Sequence, residues 1–91
     1  MTYTVERVET PDGIFYTSRK DNRTSDEVVA HGIEGYNNGS RSPIYESLNR
    51  HRTCTVLQVS TGLDKISADA LKKKCIIDAR TNGEPVLNVR L

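Results

Sequence analysis

Most of the thirteen basic residues of this 91-residue chain fall in three short stretches. Arg19, Lys20 and Arg23 lie close together, Arg41, Arg50 and Arg52 flank a Ser42-Pro43 segment with His51, and Lys72-Lys73-Lys74 run in succession. Clustered guanidinium and ammonium groups can neutralise phosphates, so a shared face would make a nucleic-acid-binding patch that the net charge of +1 conceals. The competing arrangement scatters these groups among Asp21, Asp26, Glu46 and Asp69 as a solvated surface. Tyr3 and Tyr16 bring phenols to two strand-forming segments, where they can do chemistry or simply pack across the sheet. His31 is a candidate base or a packed helix residue. Cys54 and Cys75 lack a CxxC pattern, and His31 and His51 do not flank them at finger spacing, which argues against zinc. They read as free thiols of a reducing cytosol.

The elements that position these groups follow from local signals. Thr2 to Glu9 reads as a strand, Thr10-Pro11-Asp12-Gly13 as a turn and Ile14 to Ser18 as the returning strand. Tyr3 and Val5 share one face while Val8 falls on the other, a phase break that a bulge would repair. Arg19 to Thr24 is a loop, Ser25 is the expected N-cap, and a helix runs through Val28, Val29 and His31 towards Tyr36. Gly32 and Gly35 weaken it by about 1 kcal/mol each relative to alanine. After the loop over 37–41, Ser42 and Pro43 supply N-cap and first helical position for a helix to Arg50, with Ile44 and Leu48 as its buried stripe. Thr53 to Ser60 is a strand, a helix from Asp64 or Ser67 reaches Arg80, Asn82-Gly83 stops it, and Val86 to Leu91 is an extended tail.

This β-β-α-α-β-α order resembles the GIY-YIG nuclease domain over nearly the whole chain. Thr2-Tyr3 stands at the first motif and Tyr16-Thr17-Ser18 at the second, each without its glycine. His31 matches the helical histidine, and Glu27, four residues earlier, occupies the place of the family's arginine. The segment 35–51 is similar to the polar loop and short helix, 53–60 to the next strand, and Ala70 to Arg80 to the last helix. Counting back four from Ile77 puts Lys73 at the metal-binding glutamate, and Val86-Leu87-Asn88 stands at the terminal asparagine segment. The resemblance implies an α+β fold with a small three-stranded antiparallel sheet flanked by helices. It also implies a remnant cleft of Tyr3, Tyr16 and His31. An ammonium at Lys73 cannot ligate Mg²⁺, so no metal and no cofactor are expected. Glu27 and Lys73 would form an internal ion pair, or would exchange roles on metal and phosphate.

The composition fits one domain spanning 1–91: 35% hydrophobic, 27% charged, five aromatic residues. It excludes a polybasic tail, an acidic nucleic-acid mimic and a membrane span. The amino terminus lacks the basic and apolar regions of a signal peptide, which points to the cytoplasm. Three functions follow. The first is a non-catalytic domain that binds DNA or RNA or regulates, derived from a nuclease with lost catalytic residues. The second is a small protein-binding inhibitor or adaptor of mobile-element, phage-like origin. The third is an active nuclease with a rebuilt site. Arg19, Lys20, Arg23, Arg41, Arg50 and Arg52 are the expected nucleic-acid contacts.

Overall fold

A computed structural model describes residues 2–89. Its elements are β1 (Tyr3–Thr10), β2 (Gly13–Arg19), α1 (Ser25–Asn37), α2 (Pro43–His51), β3 (Thr55–Leu63) and α3 (Lys65–Thr81). The fold is α+β, with one antiparallel sheet in the order β2-β1-β3.

Both faces of the β1–β2 part of the sheet are covered, while β3 is largely exposed. Val8 and Phe15, opposite each other on β1 and β2, pack with Val28 of α1 and Leu48 of α2. The alternate residues Ile14 and Tyr16 point the other way and pack with Ile76 and Ala79 of α3. Two-sided burial explains the phase break in β1: Val5 and Val8 are both fully buried, on opposite faces. The β1–β2 pairing is regular throughout; the register shift that does occur lies in the β1–β3 pairing, between Tyr3 and Glu6. It lets β3 continue past the expected end at Ser60 to pair Leu63 with Tyr3, with the Thr4 and Thr61 hydroxyls 2.9 Å apart.

Each helix start has a local cause. The N-cap of α1 is Thr24, not Ser25, because Thr24 and Glu27 complete a capping box. Thr24 Oγ1 accepts from the Glu27 amide at 3.2 Å, and Glu27 Oε1 accepts from the Thr24 amide at 3.1 Å. Ser42 and Pro43 open α2 as expected, and the helix ends on Arg52 in the left-handed conformation. Asp64 caps α3, accepting from the Ser67 amide at 2.7 Å.

Gly32 has a packing role that helix propensity alone misses. A Cβ there would overlap the Leu48 side chain, so the missing carbon is what lets α1 lie against α2. The tail forms one parallel bridge, Ile14 to Val86, and covers the outer edge of β2. The Ile14 amide donates to Pro85 O at 2.9 Å and the Leu87 amide donates to Ile14 O at 2.7 Å. Asn88, buried, extends that edge with its side chain: Oδ1 accepts from the Tyr16 amide at 2.9 Å and Nδ2 donates to Tyr16 O at 3.1 Å. Leu91, the last residue of the expected tail, lies outside the described residues.

Two carboxylates make the fold acid-sensitive. Asp12 is held below its ordinary value near 3.8, chiefly by a hydrogen bond from Ser47 and then by His51; Asp64 is lowered by its hydrogen bonds with Ser67. Their stabilising effect is fully present above about 3.8 and disappears as the pH falls through the lowered folded values. In thermal melts from pH 6 down to 2, Asp12→Asn and Asp64→Asn variants are expected to lose less stability on acidification than the parent chain.

Candidate functional site

A concavity lined by polar side chains lies where β2, α1 and α2 meet. A cleft of about 370 Å³ opens there. Arg19, at the end of β2, and Arg23, in the following loop, form one wall. His31 of α1 forms a second, and Ser40, Ser42 and Tyr45, from the α1–α2 loop and the start of α2, form a third. Phe15, Val28, Ile44 and Leu48 supply an apolar floor. Among the described residues, no carboxylate lines the cleft.

The local sequence explains how each group arrives. Arg19 is the last residue of β2, and the loop from it to the Thr24 cap folds back so that Arg23 runs along the sheet. Arg23 is only 8% exposed in its side chain, and Glu6, 1% exposed, lies behind it with Oε1 3.9 Å from Nε. Glu6 also accepts from Thr17 Oγ1 at 3.3 Å and from the Arg23 amide at 3.4 Å. Among the described residues, Arg23 Nε has no hydrogen-bond partner. Burial, and then the neighbouring charge of Arg19, push the Arg23 pKa down, with Glu6 opposing. Arg19 Nε donates to Asp21 at 3.2 Å on the solvent side. His31 meets Tyr45 edge to face, with ring centroids 6.1 Å apart.

The sequence-derived candidates divide sharply. Arg19, Arg23 and His31 come together in the cleft. Lys20 is exposed beside them in the chain. Arg41 instead lies over the Tyr36 ring, 4.1 Å from its centroid, and donates to Tyr36 O at 2.8 Å. Arg50 and His51 both meet Asp12, at 3.3 and 3.0 Å. Arg52 caps α2.

The expected remnant cleft does not assemble. Tyr3 and Tyr16 are on adjacent antiparallel strands, but Tyr16 faces Arg7, four residues along β1 from Tyr3. That separation is about 13 Å at the rise of a β-strand. Tyr16 is buried, and its hydroxyl accepts from Arg7 Nη1 at 2.9 Å. The expected Glu27–Lys73 pair is also absent: Glu27 spends its side chain on the α1 cap, and Lys73 is exposed on α3, across the sheet. Sequence reasoning missed Arg7, which joins Tyr16 to Glu84 (Nη2 to Oε1, 3.0 Å) and Glu9, interactions that hold its pKa well above the ordinary arginine value.

Among the described residues, no three His, Cys, Asp or Glu side chains are grouped to hold a metal ion. Both thiols are free, on opposite sheet faces, and burial pushes each pKa up, which keeps them protonated near neutrality. No described helix is long and apolar enough to cross a membrane. Compared with protein-family models, curated proteins and solved structures, the chain matches none.

Proposed function

We propose that this chain is a nucleic-acid-binding domain, GIY-YIG-like in its order of elements, that acts without cleaving its ligand. The observation that carries this reading is the convergence of Arg19, Arg23 and His31, from three parts of the chain, on one cleft with no acidic lining. Guanidinium groups suit phosphate oxygens, and the Tyr45 and His31 rings offer the aromatic surface on which bases stack. The non-catalytic half is supported by the engagement of the candidate catalytic groups elsewhere. Tyr16 is tied to Arg7, Glu27 to the α1 cap, and Tyr3 lies far along the strand.

The test is fluorescence anisotropy of a labelled single-stranded oligonucleotide across a salt series. With one or two phosphates engaged, the log–log slope is expected to be about −0.7 to −1.4. Arg19→Glu should weaken binding roughly tenfold, irrespective of base sequence. Mg²⁺ should produce no cleavage. Absence of binding at low salt would overturn the binding reading, and Mg²⁺-dependent cleavage lost on Tyr16→Phe would overturn the non-catalytic one.

One observation favours the second reading, a protein-binding adaptor. β3 is an edge strand of nine residues without a charge or proline, and its Leu57 and Val59 are 45% and 43% exposed. Such an edge can accept an added strand from a partner. If the oligonucleotide does not bind, Leu57→Lys with loss of partner capture would support this reading.

A further inference from the structure

We propose that the cleft is a site for a phosphate monoester carried on a nucleoside, with Arg19 and Arg23 holding the phosphate and Tyr45 and His31 flanking the attached ring. The inference rests on the nucleic-acid-binding reading and names the group that enters the cleft. That group is a phosphorylated strand end, or a free nucleotide of the same chemistry, rather than an internal phosphodiester.

The first argument is Arg23. A guanidinium carries five donors, and buried ones are ordinarily matched to acceptors. Arg23 is 92% buried by its side chain, and its Nε, sealed from solvent and 3.9 Å from Glu6 Oε1, has no acceptor among the described residues. The side chain forms part of the cleft wall. Glu6 and Asp21 each engage one side of these two guanidinium groups, and among the described residues the terminal nitrogens of Arg23 make no hydrogen bond, which leaves them to donate to an anion in the cleft. Arg19 spends Nε on Asp21, which leaves its two terminal nitrogens for a ligand.

The second argument is the first turn of α2, a helix of nine residues whose Ser42 and Ile44 line the same cleft. Ser42 Oγ accepts from the Tyr45 amide at 3.3 Å, so its own hydroxyl hydrogen remains to be donated. Pro43 has no N–H, and the Ile44 amide belongs to the helix-start donors without an intrahelical partner. The positive end of the helix dipole reinforces them.

Charge and size then select the ligand. A monoester carries a charge of about −1.5 to −2 at neutral pH, against −1 for a diester, and so gains more from the guanidinium donors and the helix start, with Asp21 and Glu6 balancing part of the arginine charge. At about 370 Å³ the cleft is near the lower end of small-ligand sites, which are roughly 300–1,000 Å³. It accommodates one phosphate and its nucleoside, not a run of nucleotides. The apolar floor under Phe15 and Leu48 and the edge-to-face Tyr45–His31 pair suit a base better than bare phosphate does.

The experiment uses the full chain and two oligonucleotides of identical sequence, one with a terminal phosphate and one without. Nucleoside monophosphate and inorganic phosphate serve as competitors. The phosphorylated strand is expected to bind roughly tenfold to hundredfold more tightly, with nucleoside monophosphate competing and inorganic phosphate competing far less well. Arg19→Gln, at a partly exposed position, should bring the ratio close to one with the melting temperature little changed; Arg23→Lys should do the same if it folds. Equal affinity for the two strands would overturn this inference while leaving nucleic-acid binding intact. Binding and thermal stabilisation by nucleoside monophosphate without any oligonucleotide binding would keep the monoester site and overturn the polymer reading. No response to any of these probes at low salt would overturn both. Inorganic phosphate competing as well as the nucleotide would overturn the assignment of the ring.

Discussion

Gly32→Ala is expected to destabilise the domain by about 2 kcal/mol, although alanine is the better helix former by about 1 kcal/mol. The new Cβ would meet the Leu48 side chain, including its Cβ at 2.5 Å and its Cγ at 3.0 Å. Leu48 is 2% exposed and anchored in the core with Phe15 and Val28, so it has no free direction to move. Overpacking of this kind typically costs about 1–3 kcal/mol. A loss of 2 kcal/mol should lower the melting temperature of a domain this small by about 10 °C. Because His31 and Tyr45 line the cleft from the two helices being pushed apart, ligand affinity should fall as well. Thermal melts and oligonucleotide binding, measured on the same protein, check both effects. A melting temperature raised by the substitution would mean that α1 and α2 do not pack as closely as described.

The elements were legible where their causes are local. Ser42-Pro43 specifies a helix start through its own chemistry, and it opens α2 as expected. Thr24 and Ser25 are adjacent hydroxyls, and only the reach of Glu27 back to Thr24 chooses between them; that Thr-x-x-Glu signal was in the sequence. Tyr3 and Tyr16 do lie on adjacent antiparallel strands, and their offset along the sheet follows from the turn. A turn that pairs Thr10 with Gly13 forces Arg7 opposite Tyr16, because every antiparallel pair must then preserve the same sum of positions. The spacing of Gly32 and Gly35 could have signalled a close helix contact, since residues three apart share a helix face.

The cleft was not legible in this way. It depends on where α1 and α2 settle on the sheet, which side-chain volumes at Phe15, Val28 and Leu48 decide together. Proximity in sequence suggested that Arg19, Lys20 and Arg23 act as a unit, but nothing local separates the buried Arg23 from the exposed Lys20. Arg50 and Arg52 looked equivalent to them until Asp12 and the α2 cap claimed them. The Arg7–Glu84 contact joins residues 77 positions apart, beyond any local pattern.

Glu6→Gln should have a larger effect than Gly32→Ala, because Glu6 is the buried countercharge of Arg23. The carboxylate is 1% exposed and the guanidinium 8% exposed. Removing the charge leaves an uncompensated buried cation, which costs about 3 kcal/mol or more; glutamine keeps the shape and can still accept from Thr17. Pairing it with Arg23→Met removes both charges and should recover part of the loss, since a buried ion pair replaced by uncharged residues of similar volume is often tolerated. The single variant also tests what Arg23 is waiting for. With Glu6 neutralised, Asp21 is the acidic neighbour that remains, and an anion in the cleft adds compensation for the guanidinium. Added nucleoside monophosphate should therefore raise the melting temperature of Glu6→Gln by more than it raises that of the parent chain. The double variant, lacking Arg23, should show little rise. If all three proteins respond equally, Arg23 is a structural cation held by the fold alone, and the ligand is bound elsewhere.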